Sequence, residues 1–105
     1  MSTAPARASL PLEDVLKALA DPIRLEIIRR MALSDEVACT LLEQVLDVAK
    51  STISYHIKVL YHADLVVIRK EGRYYFYSLR GDVLDSYLPG FKDQVAQREP
   101  YAVKS

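Results

Sequence analysis

Lys50-Ser51-Thr52-Ile53-Ser54-Tyr55-His56-Ile57-Lys58-Val59-Leu60 reads as one helix with two chemistries. At about 100° per residue, Ile53, Ile57 and Leu60 share one stripe, while Ser51, Ser54, Tyr55, Lys58 and His62 lie opposite. The apolar side seats the helix on a core. The other side presents hydroxyls, a phenol and a cation, groups that reach base edges in a major groove and the phosphates beside it. Ser51 and Thr52 have two readings, because a helix start needs a capping hydroxyl in any case. His56, three residues after Ile53, borders the buried stripe, so a packed histidine and a base reader both stay open.

Working outward, Ala38 to Leu46 carries Leu41, Leu42, Val45 and Leu46 at helical spacing and ends near Asp47. Only a few residues separate it from Ser51, which is placed to cap the next helix. Two short helices joined by a tight turn make a helix-turn-helix. Beyond Asp64 the period becomes alternating. Leu65 to Arg69 and Tyr74 to Leu79 read as strands around the turn Lys70-Glu71-Gly72-Arg73, in which glycine supplies positive φ. The hairpin tip gathers Arg69, Lys70 and Arg73 into a basic wing suited to phosphate or the minor groove. Alternation puts Tyr75, Tyr77 and Leu79 on one strand face and Tyr74 with Phe76 on the other, so one aromatic pair needs a cover.

Upstream, Leu12, Val15, Leu16 and Leu19 mark a first helix. Asp21-Pro22 then supplies an N-cap and a proline at the first helical position. Ile23, Ile27, Ile28 and Met31 form the stripe of a second helix, with Arg24, Arg29 and Arg30 off it. Downstream, Asp82 is placed to cap a last helix with Leu84, Tyr87, Leu88 and Phe91 as its stripe, which Pro89-Gly90 should kink or end. The expected architecture is mainly α with a small β-hairpin wing: a winged helix-turn-helix of five helices and two to three short strands over residues 10–96. Residues 1–9 read as a loose, flexible arm and residues 97–105 as a frayed tail.

At 105 residues, half of them hydrophobic, the chain makes one domain with a small core, and pairing with a second copy is plausible on size. Its formal net charge is zero but polarised. Residues 50–80 hold six basic side chains against two acidic ones, net +4, which leaves eight against twelve elsewhere, net −4. The local sign is what a polyanion meets. No apolar run approaches the roughly 20 residues of a membrane span, and Met1 to Ser9 lacks a secretory signal's apolar centre, so a cytoplasmic location without membrane partners is expected. The single cysteine, Cys39, reads most simply as a small core residue. Neither a glycine-rich phosphate loop, a nucleophile elbow nor a His-Glu-x-x-His motif is present, which argues against an enzyme.

Three motifs in order now narrow the reading. Ala18-Leu19-Ala20-Asp21-Pro22-Ile23-Arg24-Leu25-Glu26-Ile27 resembles the "ALADPTRLxIL" opening of the ArsR family of bacterial repressors. Ser51 to Leu60, followed by Ala63-Asp64-Leu65-Val66, is similar to its "SxxSxHLKxLxxAGLV" signature, and Gly72-Arg73 with Tyr77 and Leu79 is similar to its wing. The likeness spans about residues 12–90. It implies a homodimeric regulator that represses by occupying double-stranded DNA and leaves when an effector binds. It also implies a dimer interface on the first and last helices, here Leu12, Val15, Leu16, Leu19, Leu84, Tyr87, Leu88 and Phe91, and an inverted-repeat operator. The DNA-contacting set becomes Lys50, Ser51, Thr52, Ser54, Tyr55, His56 and Lys58 on the helix, with Arg69, Lys70 and Arg73 on the wing.

The effector is where this chain departs from the pattern. Metal-responsive relatives carry a cysteine pair in an "ELCVCDL" segment; Glu36-Val37-Ala38-Cys39-Thr40-Leu41-Leu42 puts Ala38 and Thr40 at those positions. A second family site uses Asp and His pairs on the last helix, where this chain offers Gly81, Val83, Gln94 and Gln97. No metal and no other cofactor is expected, and a small-molecule effector remains a candidate partner. A rival reading is a winged helix that binds another protein rather than DNA.

Overall fold

The structure, a computed structural model, describes residues 10–101. The arm expected over residues 1–9 lies outside them, as do residues 102–105 of the tail. Six helices and three strands occur among the described residues: α1 (Leu12–Leu19), α2 (Pro22–Leu33), β1 (Val37–Ala38), α3 (Cys39–Leu46), α4 (Lys50–His62), β2 (Val66–Glu71), β3 (Tyr74–Leu79), α5 (Gly81–Tyr87) and α6 (Phe91–Gln97).

Asp21 caps α2 as expected. Its carboxylate accepts from the N–H groups of Ile23 at 2.9 Å and Arg24 at 3.0 Å, and Pro22 opens the helix where no N–H is needed. Ser51 does not cap α4. Ala49 holds that position with no side-chain bond, and its carbonyl accepts from the N–H groups of Thr52 and Ile53. The single last helix becomes two, because Pro89 cannot continue α5 and Gly90 takes φ 85° before α6. Arg80 occupies the α5 cap position, which moves Asp82 into the first turn.

The sheet runs β1-β3-β2, antiparallel throughout. Glu71 pairs with Tyr74, so Gly72 and Arg73 form a two-residue turn, and Gly72 at φ 63° meets the demand of a type II′ hairpin. The third strand, β1, sets Val37 against Tyr77 and Ala38 against Phe76, and it displaces the start of α3 to Cys39.

The core gathers Ile27 and Ile28 of α2, Leu42 of α3, Ile53 and Leu60 of α4, Leu65 and Leu84, all fully buried. Each such side chain contributes about 1.5–3 kcal/mol of transfer free energy. Val15, Leu19 and Leu84, expected at a subunit interface, belong to this core at 0%, 5% and 0% exposure, a correction to the interface set. An eight-residue helix needs its best-packed stripe for its own protomer. Arg29 also departs from expectation, since it is buried against Glu26. Its guanidinium makes two bonds to that carboxylate, at 2.9 and 2.8 Å. Arg30 and the Tyr101 N–H add further bonds, which fasten the start of the tail to α2. Burial pushes the Glu26 carboxyl up, but these donors outweigh it and hold it below its ordinary range.

Candidate nucleic-acid interface

Helix α4 is presented by a short turn after α3, in which Asp47 takes the left-handed conformation at φ 53°. Ile53, Ile57 and Leu60 are buried as the period requires. Ser51, Ser54, Tyr55 and Lys58 are exposed together with Lys50, and Tyr55 is 59% exposed. Thr52 is half-buried.

His56 is a correction. It is 7% exposed, and its Nδ1 accepts from Nη1 of Arg24 at 3.0 Å. Arginine can only donate, so this imidazole is neutral and keeps its proton on Nε2. Burial holds its pKa below the ordinary value; the Asp21 carboxylate opposes that, and the Arg24 charge adds to it. Arg24 also donates to the carbonyl of Ala18 at 2.6 Å and to that of Lys17 at 3.4 Å. One guanidinium therefore joins the end of α1, the cap of α2 and the middle of α4. Arg24 lies off the apolar stripe of its helix, so helical spacing gives it no role; its place inside the Asp-Pro-x-Arg stretch is the signal the sequence carries.

The wing is narrower than its charge count suggests. Arg69 donates to both oxygens of Glu36 at 2.8 Å and to Glu71 at 2.7 Å, and its guanidinium lies 4.4 Å from the centre of the Phe76 ring. That ion pair holds the Glu36 carboxyl below its ordinary range. Arg69 is thus the cover that Phe76 needed, and its charge is matched, which removes it from the uncompensated charge of the wing. Lys70 and Arg73 remain exposed at the tip. Lys50 of α4 and Lys70 of β2 approach the Tyr75 ring at 6.0 and 5.6 Å, so the helix start and the wing form one basic rim.

Cys39 is buried and donates its thiol hydrogen to Glu43 at 3.6 Å. Burial pushes that thiol up; a hydrogen bond with Tyr77 opposes the shift and the nearby Glu43 adds to it. Among the described residues no group of three His, Cys, Asp or Glu side chains is gathered as a metal would need. None of the described helices is long and apolar enough to cross a membrane.

A family described as "Helix-turn-helix domain" matches residues 19–69, the span from the end of α1 into the first strand of the wing. The chain is 42% identical over 78 residues to an uncharacterized HTH-type transcriptional regulator, YceK, of Bacillus subtilis (strain 168), covering 73% of this chain and 78% of that one. It is 39% identical over 74 residues to the arsenical resistance operon repressor of Staphylococcus xylosus, covering 70% of each. Among solved structures, HlyU from Vibrio cholerae N16961 superposes with a TM-score of 0.69 at 26% identity, over 87% of this chain and 94% of that one. With an exposed polar helix face, a basic rim beside it and these likenesses together, the chain belongs to the ArsR family of winged helix-turn-helix regulators and is a DNA-binding transcriptional repressor.

Proposed function

We propose that the repressor acts as a homodimer on an inverted-repeat operator, with α4 of each protomer in a major groove and the wing on the flanking backbone. The observation that carries this reading is the single exposed face holding Ser51, Ser54, Tyr55 and Lys58, with Lys50 and Lys70 meeting at the Tyr75 ring and Arg73 exposed at the wing tip. Ser54 and Tyr55 are assigned to base edges and the cations to phosphates. Pairing is supported by Leu12 and Leu16, which stay 46% and 44% exposed on the side of α1 away from the core, and by half-buried Tyr87, whose hydroxyl donates to the Leu10 carbonyl at 2.8 Å. The protein works without catalysis in the cytoplasm, and the signal that releases it is not a metal.

The test is a mobility-shift titration on the DNA upstream of its own gene across a salt series, with the subunit mass measured by ultracentrifugation. A dimer whose affinity falls steeply with log salt supports the reading. A monomer, or binding without a salt slope, contradicts it.

A further inference from the structure

A cleft of about 430 Å³ separates the recognition helix from the wing, lined by Ser54, Ile57, Lys58, Tyr61, His62, Ile68, Tyr75 and Tyr77. Its volume falls within the roughly 300–1,000 Å³ of small-molecule sites. The strand register explains the lining. Ile68 pairs with Tyr77 and Lys70 with Tyr75, so Ile68, Tyr75 and Tyr77 share the sheet face turned toward α4. Tyr77 is buried in the floor, whereas Tyr61 and Ile68 at the walls stay 49% and 38% exposed. An isoleucine and a tyrosine left exposed along one open cleft are apolar area without a partner.

We infer that this cleft binds a planar aromatic carboxylate, and that the bound molecule displaces DNA. The walls are three tyrosines and two isoleucines, which suit the faces and edges of a fused or substituted arene. The charged side chains at the cleft surface are cationic: Lys58 lines it and Lys50 and Lys70 flank the Tyr75 ring, while the Glu43 carboxylate acts on Tyr77 in the floor and is not among the lining residues. Lys58 and the Ser54 hydroxyl stand at the helix side of the cleft to take the carboxylate. These are two of the groups assigned to the operator, so one face cannot serve both partners at once. The inference of displacement rests on the proposed docking of α4; the inference of binding does not.

The probe is 2-naphthoate, with 2-naphthalenemethanol as its neutral counterpart, titrated by calorimetry and by amide and methyl chemical shifts on the whole chain. Saturable binding is expected, with shifts centred on Ser54, Lys58, Tyr61 and Ile68 and with the acid preferred over the alcohol. Ile68→Ala should weaken the acid by about tenfold through lost apolar wall, while operator affinity stays within about twofold of the parent. Lys58→Gln should erase the preference for the acid. A Tyr61→Ala chain provides a second wall variant should Ile68→Ala melt. In a mobility shift, 2-naphthoate should release the parent from its operator and leave Ile68→Ala bound. No saturable binding, shifts elsewhere on the chain, or equal affinity in both wall variants overturns the site. If the acid binds in the cleft but the operator stays bound, displacement is overturned. If the chain binds no operator even without the probe, the docking reading fails and the site is judged by the calorimetry alone.

Discussion

Nη1 of Arg24 lies 3.0 Å from Nδ1 of His56, so a side chain from the first turn of α2 positions the middle of the recognition helix. Removing it takes the Arg24 donor from a buried imidazole nitrogen and from the Ala18 carbonyl, while the Lys17 carbonyl keeps the Ala20 N–H. Arg24→Ala should cost about 1–3 kcal/mol in urea unfolding. It should also weaken operator binding at temperatures where the variant is still folded, although Arg24 is not among the assigned DNA contacts. Unchanged affinity would show that α4 holds its place without the tether.

The same pair sets a pH dependence. His56 has a folded pKa below the ordinary 6.5, so the unfolded chain takes the proton first. Stability should be level above 6.5 and decline as the pH falls below it, until the folded imidazole also protonates. Asp21, with a carboxylate oxygen 4.0 Å from Nδ1, and Arg24 are the charged groups facing this ring, and the edge of Tyr55 lies beside it. The carboxyls of Glu26 and Glu36 are held low in the folded state; their stabilisation is present above 4.5 and is lost as the pH falls through their folded values. The two windows separate, and urea midpoints of the parent and His56→Gln between about pH 8 and 3 should differ in slope only in the upper one.

Asp64 takes φ 68° where the family signature carries glycine, and its carboxylate meets Arg80 at 3.3 Å. Aspartate tolerates the left-handed region better than most side chains; alanine does not. Asp64→Ala should therefore be less stable than Asp64→Gly by about 1 kcal/mol, read from denaturation midpoints. Equal midpoints would mean that the turn relaxes around the substitution.

Two arginines of the wing should behave differently. Arg73→Ala should lower the slope of log affinity against log salt by about one. Arg69→Ala removes a cation already matched by Glu36 and Glu71, so the slope should stay while the hairpin loosens, seen as faster amide exchange in β2. A lost unit of slope in both variants would place Arg69 on the phosphates.

The faces of α4, the cap at Asp21 and the hairpin were legible because each rests on local spacing or on a residue with one conformational use. What escaped came from contacts distant in sequence. Arg69 and Glu36 are 33 positions apart and Arg24 and His56 are 32 apart, and no period records such pairings. A two-residue strand such as β1 has no period at all. Val15, Leu19 and Leu84 were read as apolar but assigned to a partner subunit, because spacing does not say whose core such a side chain enters. Leu12 and Leu16, left exposed once Val15 and Leu19 are buried, are the part of the α1 stripe still available for pairing.

The central claim is that the exposed face of α4 reads DNA, and the most direct measurement is an operator titration of Ser54→Ala, Tyr55→Ala and Lys58→Ala beside the parent, each on operator and on unrelated DNA. Ser54→Ala and Tyr55→Ala should lose about 1–3 kcal/mol on the operator alone, and Lys58→Ala should lose affinity on both DNAs with a salt slope lower by about one. Three folded variants that all bind like the parent would contradict it.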